Sequence, residues 1–310
     1  MLIQTVGILS PGDMGQAIAS MLTQHGLRSV AALDGRSERT RRLAAEARLQ
    51  DLGSLKCLVA ESDVLLSILV PSAATQAAEQ VAEAMRSIGK SLLYVDCNAI
   101  SPQKARKIDA LIQAAGGRFI DAAIIGPPPR MPGLTRIYAS GAQTSALEQL
   151  RDYGLDVRVI GDESGQASGL KMCYGALTKG LMAIGTELLI AAHRLSLEEV
   201  LWDELSGSQK ELLAWLTGSI SSMPPKAHRW VGEMEEVAAT FSALGLTGRT
   251  FEGAAELYRL VKETSLGKET PEECDRKRRL ADLIATLSGE VLKLPSECLH
   301  SASPTKSDMR

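Results

Sequence analysis

Apolar positions in the first half of the chain follow two alternating rhythms. Short, nearly continuous runs rich in branched residues occupy 5–9, 29–33, 63–70, 92–97 and 118–125. Between them, over 14–25, 37–48, 73–88 and 102–115, apolar residues recur three and four apart, as Met14, Ile18, Met21 and Leu22 do. The runs predict buried strands and the spaced stretches predict helices. Punctuation agrees with this division. Gly26 stops the first helix, Ser37 stands ready to cap the second, Pro71 ends the third run, and Ser101-Pro102 opens the fourth helix. Two more short strands, 137–140 and 157–160, flank a helix at 143–151.

Strands that are apolar throughout, alternating with helices, imply a parallel sheet covered on both faces. Ligands of such sheets sit beyond the carboxyl ends of the strands. The loops 10–15, 34–40, 70–74, 96–102 and 125–133 are therefore where a site belongs. After Gly165 the rhythm changes. One long helical pattern fills 168–194, and helical segments follow at 197–205, 209–217, 226–244, 250–264 and 269–287. No strand pattern occurs past Gly161. The predicted fold class is α/β plus all-α: a Rossmann-type parallel-sheet domain over 1–164, a helical domain over 165–300, and a polar, disordered tail over 301–310.

Composition narrows the function classes. With 45% hydrophobic and 23% charged residues the balance is that of a globular protein. Aromatics at 4% and a net charge of −3 argue against a nucleic-acid surface. The basic runs at 36–42 and 275–279 read as solvated helix faces. Cys57, Cys97, Cys173, Cys274 and Cys298 form no C-x-x-C pair, which argues against a structural zinc or a disulfide framework. No metal is expected. The amino terminus lacks a basic segment and a cleavage pattern before Asp13, and no apolar run reaches the ~20 residues of a membrane span. The expectation is a cytoplasmic protein with reduced thiols and neither membrane nor nucleic acid as partner.

The first candidate chemistry is the turn in Val6-Gly7-Ile8-Leu9-Ser10-Pro11-Gly12-Asp13-Met14-Gly15. Gly12 and Gly15 have the spacing of the last two glycines of G-x-G-x-x-G, and Ser10 stands where the first would be. One glycine lets a backbone approach a pyrophosphate and the other lets helix pack on strand. Phosphate would lie at the start of the following helix, on free N–H groups and the helix dipole. At the end of the second strand the chain reads Leu33-Asp34-Gly35-Arg36-Ser37. An acid there holds a ribose 2′-hydroxyl, whereas an arginine with a hydroxyl neighbour holds a 2′-phosphate. Gly35 falls at the acid position and Asp34 one residue early, so Arg36 and Ser37 favour NADP, with NAD possible.

Four stretches in order, "VGILSPGDMGQAIASML", "VDCNAISP", "FIDAAIIGPPP" and "GQASGLKMCYG", resemble the signature regions of the β-hydroxyacid dehydrogenase superfamily, which includes 6-phosphogluconate and 3-hydroxyisobutyrate dehydrogenases. "KAHRWVGEMEEVAATF" resembles a signature of the branch whose helical C-terminal domain is called DUF1932. The resemblance implies a 6-phosphogluconate dehydrogenase-like helical domain and a homodimer. It places Ser10, Pro11, Gly12, Asp13, Met14 and Gly15 around the pyrophosphate, Val70 and Pro71 along the cofactor, and Asn98 on the nicotinamide side, within reach of substrate. It also implies that Ala122, Ala123, Ile124, Ile125 and Gly126 shape the substrate pocket. Lys171, in G-x-A-x-x-x-K, falls on the family's catalytic lysine. There are departures: Ile125 stands where the family has serine, Pro127 where it has glycine, and Gly175 where it has asparagine one turn after the lysine. Proline has no N–H to offer a carboxylate.

Hydride transfer needs a proton partner for the substrate oxygen. A neutral lysine takes that proton during oxidation, and an ammonium gives it during reduction. Tyr174 and Thr178 are candidate substrate contacts, Thr178 because it shares a helix face with Lys171. His228 and Arg229 are expected to pair with Glu233 or Glu235, with binding of a substrate anion as the alternative, while Met234, Val237, Ala238 and Phe241 read as core. The expected function is an NADP-preferring oxidoreductase for a small anionic hydroxyacid, or its keto or semialdehyde form. An NADPH-dependent imine or ketone reductase and a non-catalytic, redox-sensing NADP-binding protein are the alternatives.

Overall fold

The computed structural model describes residues 2–131, 133–270, 273–275 and 277–292. The tail expected to be disordered, together with Cys298 and His300, lies outside the described residues.

By packing, the chain divides into two units, Met1–Tyr174 and Gly175–Arg310. The first unit contains, in order, β1 (Thr5–Ile8), α1 (Asp13–Gln24), β2 (Arg28–Ala31), α2 (Glu38–Glu46), β3 (Gln50–Asp51), α3 (Leu55–Glu61), β4 (Val64–Ser67), α4 (Ala74–Ile88), β5 (Leu93–Asp96), α5 (Pro102–Ala114), β6 (Arg118–Ile125), β7 (Arg136–Ser140), α6 (Thr144–Glu148) and β8 (Asp156–Gly161). The long helix α7 (Gln166–Arg194) begins in it. The strands form one sheet in the order β3-β2-β1-β4-β5-β6-β7-β8. All neighbours are parallel except the β6–β7 pair.

β1, β4 and β5 are buried along their whole length, which explains their unbroken apolar runs. Two apolar clusters cover the two faces. One gathers Ile18, Leu22, Val64 and Leu93 with Leu147 and Leu150, and the other gathers Leu65, Tyr94 and Phe119 with Val81, Met85 and Ile108. Strand order reverses between β1 and β4. The loops after these two strands diverge at such a switch point and open a crevice at their carboxyl ends.

The structure adds β3 and α3, which the hydrophobic pattern does not announce. Both β3 residues are exposed, and α3 is short and starts on the Ser54 hydroxyl, which accepts from Cys57 N–H at 3.3 Å. The division inside α7 differs from the boundary at 164 suggested by the change of rhythm. The first turns of α7 are fastened to the sheet, so they belong with it.

The second unit contains the rest of α7, then α8 (Glu198–Ser208), α9 (Lys210–Ile220), α10 (Ala227–Ala243), α11 (Arg249–Glu263) and α12 (Leu280–Val291). α10 and α11 pack through Trp230 against Tyr258 (ring centroids 5.3 Å) and Phe241 against Phe251 (4.6 Å). Met234, Val237 and Ala238 are buried there. The helix expected over 269–287 starts only at Leu280. Arg279 before it is extended, and Arg278 pairs back to Glu269 at 2.5 Å, closing a loop instead of continuing a helix. α7 is long and apolar enough to cross a membrane, with mean hydropathy 1.3 over 18 residues, although half of that window is buried inside the protein. The sequence shows no uninterrupted apolar run there because Lys171, Lys179 and Glu187 divide it.

Candidate functional site

The turn after β1 sits at the switch point. Its shape follows from one close approach. A Cβ on Gly15 would lie 2.5 Å from the Ser10 carbonyl oxygen and 3.2 Å from Ile8, so only glycine lets α1 start against β1. Gly12 is the opposite case: nothing lies within 4 Å of a Cβ there. Gly12 is the cap residue of α1, and no side chain caps that helix. Its N–H donates to Ser10 O at 2.9 Å, and its carbonyl takes the first helical bond from Gln16 N–H at 2.7 Å. No side chain caps the first turn, and an anion is favoured at such a helix start. Ser10 is half-buried and Pro11 buried. Met14 packs on the sheet core.

Beside this turn runs a groove of about 370 Å³, lined by Leu9, Asp34, Gly35, Arg36, Leu69 and Gln76 among others. Arg36 reaches across it and donates from Nη2 to Leu9 O at 3.1 Å. The loop that carries Arg36 is set by Asp51, whose carboxylate accepts from Leu33 N–H (3.1 Å) and Gly53 N–H (2.8 Å). The Ser37 hydroxyl caps α2 by accepting from Thr40 N–H at 3.3 Å. Both the acid and the arginine read from the sequence thus line one groove.

After β4, Val70 is exposed, and Pro71 is buried at the start of a short 3-10 turn leading into α4. Asn98 holds this segment in place. It is 2% exposed. Its Oδ1 accepts from Leu69 N–H at 2.5 Å, its Nδ2 donates to Ser67 Oγ at 3.0 Å, and its own N–H donates to Asp96 Oδ1 at 2.9 Å. The asparagine side chain therefore binds the end of β4 to the turn after β5.

Ala122, Ala123, Ile124 and Ile125 are strand rather than loop. All four are buried in β6 and paired with β7. What this strand presents is backbone: the Lys171 ammonium donates to the Ile124 carbonyl. Gly126 follows with φ 125°, a conformation that favours glycine, and a Cβ there would lie 2.2 Å from Leu134 O.

Lys171 is aimed by a residue the sequence reading passed over. Asp121 is fully buried in β6. Its carboxylate accepts from Ser168 Oγ (2.6 Å), Ser168 N–H (2.9 Å), Gly165 N–H (2.9 Å) and Ser140 Oγ (3.2 Å). It thus satisfies the N–H groups that begin α7, and one turn later Lys171 meets Ile124. The signal was present in the "DAAIIG" stretch, but only the fold shows which helix the aspartate holds.

Burial pushes the Asp121 carboxyl up from its ordinary range, against those four hydrogen bonds. Asp96, at the end of β5, is pushed up to about 7 by desolvation, and its Oδ2 has no hydrogen-bond partner among the described residues. Desolvation likewise raises the neighbouring Cys97 thiol and Tyr94 phenol.

Tyr174 is exposed and Thr178 half-buried on α7. In the second unit, Glu233 pairs with Lys179 at 2.5 Å and Glu235 with Arg259 at 2.8 Å. α7 and α11 thus bring cations to α10 that sequence proximity does not reveal. No group of three or more metal-ligating side chains occurs among the described residues.

Residues 5–152 match the NAD-binding domain of 6-phosphogluconate dehydrogenase, and residues 192–261 match DUF1932, a domain of unknown function. The structure of conserved protein MTH1747 of unknown function, described as similar to 3-hydroxyacid dehydrogenases, is 32% identical. That alignment covers 84% of this chain and 97% of MTH1747, with a TM-score of 0.63. This chain belongs to the β-hydroxyacid dehydrogenase-like superfamily, in the branch with a DUF1932 C-terminal domain. The family includes NAD(P)-dependent 3-hydroxyacid dehydrogenases, which act on CH–OH groups. Solved structures of lower identity share the fold. Mycobacterium tuberculosis 3-hydroxyisobutyrate dehydrogenase, solved with L-serine, is 19% identical over 92% of this chain and 99% of its own, with a TM-score of 0.65. Aspergillus terreus reductive aminase, solved with NADPH, is 19% identical over 89% of this chain and 100% of its own, with a TM-score of 0.53.

The residues present fit a dinucleotide. A side chain on Gly12 would fill the space that the first turn of α1 leaves open, and the adjoining groove has the polar groups a ribose and its phosphate need.

Proposed function

We propose that the protein is an NADP-preferring oxidoreductase acting on a small hydroxyacid or its keto or semialdehyde form, with Lys171 as general acid and base. The observation that carries this reading is the placement of Lys171: α7 starts on Asp121, and the lysine ammonium is held at the carboxyl end of β6 by the Ile124 carbonyl. Sheets of this kind bind their ligands at that edge.

NADP supplies the hydride acceptor in one direction and the hydride donor in the other. In the oxidative direction the Lys171 amine would take the hydroxyl proton. In reduction the ammonium would return a proton to the carbonyl oxygen. The first-turn N–H groups of α1 would hold pyrophosphate, Arg36 would hold the 2′-phosphate, and Asn98, which fixes Leu69, would keep the Leu69–Pro71 segment in place beside the cofactor. The strand from Ala122 to Ile125 contributes backbone to the substrate pocket. Gly126 turns the chain away, and Tyr174 and Thr178 contact substrate.

Lys171→Ala should lower kcat by roughly 10³-fold, a loss typical of general acid–base groups, while leaving NADPH affinity unchanged. A panel of hydroxyacids, keto acids and imines assayed with NADPH reads this. Turnover unchanged in the variant on every accepted substrate sinks the mechanism.

The same reading places the protein in the cytoplasm, consistent with free Cys57, Cys97, Cys173 and Cys274, and makes it a homodimer. α8 buries none of its side chains and exposes Val200 and Trp202, an apolar surface that a second copy would cover. Light scattering reads the oligomeric state directly.

A further inference from the structure

The loop between β6 and β7 runs Gly126-Pro127-Pro128-Pro129-Arg130-Met131 before it returns through Leu134 and Thr135. Its neck is closed. The Thr135 hydroxyl donates to Pro127 O at 2.5 Å, and Gly126 packs directly against the Leu134 carbonyl. Three successive prolines fix φ along one arm. Beyond the neck, Arg130 N–H donates to Pro128 O at 2.7 Å. The loop lies along α1: Pro129 and Met131 share a small cavity of about 20 Å³ with Ile18 and Met21.

From this loop Arg130 extends to the first residue of α1. Its Nη2 lies 2.8 Å from Asp13 Oδ1. An aspartate in the first turn suits the helix dipole. In this helix, however, it sets a negative charge beside the N–H groups where a pyrophosphate would bind, and two anions so placed repel. Arg130 offsets that charge. A guanidinium has five N–H donors in a rigid fork, more than one carboxylate oxygen accepts. The Arg130 side chain is 66% exposed, so it remains accessible to a ligand arriving at α1.

We propose that Arg130 is a phosphate clamp: it neutralises Asp13 and donates to the cofactor pyrophosphate at the start of α1. The proposal rests on the cofactor reading above and adds to it a residue from a loop outside the glycine turn. It makes the proline-rich loop part of the dinucleotide site rather than only a boundary of the substrate pocket. It also accounts for the replacement of glycine by Pro127. A loop that must hold one arginine over a fixed point gains from a stiff arm, since less conformational freedom is lost on binding.

The test uses the full chain and two probes, NADPH and adenosine 2′-phosphate, with affinity read by fluorescence or calorimetry. Adenosine 2′-phosphate lacks the pyrophosphate. Arg130→Ala is expected to weaken NADPH about tenfold, the size of one charge-assisted contact, and to leave adenosine 2′-phosphate unchanged. Arg130→Gln, which keeps the bulk of the side chain, is expected to behave the same way at an unchanged melting temperature. Arg36→Ala, by contrast, weakens both probes. NADPH affinity unchanged in Arg130→Ala, or an equal loss for both probes, overturns the clamp while the cofactor reading stands. Wild-type protein that binds neither NADPH nor NADH overturns the cofactor reading, and the clamp with it.

Discussion

Gly12 and Gly15 are alike in the sequence and opposite in role. Gly15 is required by the fold, because its hydrogen faces the Ser10 carbonyl where any Cβ would lie at 2.5 Å. Gly12 is free of such contacts, so a side chain there leaves the turn intact and occupies the space before α1. Gly12→Val should therefore weaken NADPH binding by about tenfold or more, the effect of losing a charge-assisted anion contact, with little change in stability. Ser10→Gly should change binding little, because Ser10 contributes its carbonyl. Titration of both variants with NADPH checks this, and equal losses would mean that the turn has been misread. The glycine spacing was legible from the sequence. Which glycine the packing requires and which stands open was not, because that depends on what lies opposite each hydrogen.

At the scale of elements, the junction between β6 and α7 decides the site. A helix start leaves N–H groups without intrahelical partners, and here Asp121 takes those of Gly165 and Ser168. Asp121→Ala would leave these donors buried and unsatisfied. The cost should be about 3 kcal/mol, on the scale of buried groups bonded to a charge, read as a lower urea midpoint. Turnover should fall as well, since the first turns of α7 aim Lys171. A variant as stable as the parent would show that α7 is held by other means. The strands and most helices were legible from periodicity. β3 and α3 were not, being too short and too exposed to leave a pattern. The late start of α12 was hidden too, because the Arg278–Glu269 pair that closes the preceding loop looks in sequence like ordinary helix-surface charge.

At the scale of the whole molecule, the buried carboxyl groups tie stability to pH. Asp96, held near 7 in the folded state by desolvation, returns to the ordinary carboxylate range of about 3.9 when the chain unfolds. The folded state then binds the proton more tightly than the unfolded state. Its stabilising contribution is complete below the unfolded value and is lost as pH rises towards 7. Asp121 is shifted in the same direction. Asp96→Asn, which is always neutral, should flatten the decline in stability between about pH 4 and pH 7. Urea unfolding of parent and variant across that range measures it, and parallel curves would contradict the assignment. The sequence by itself determined the alternating sheet domain, the helical second half and the glycine spacing of the first turn, because hydrophobic periodicity and glycine spacing are local properties; Lys171 was marked only by the resemblance to the β-hydroxyacid dehydrogenases. Only the tertiary structure decided that Asp121 starts α7, that Asn98 joins two strand ends, and that Arg130 meets Asp13 from 117 residues away. Those pairings join distant parts of the chain, and the topology of the sheet, rather than any local pattern, brings them together.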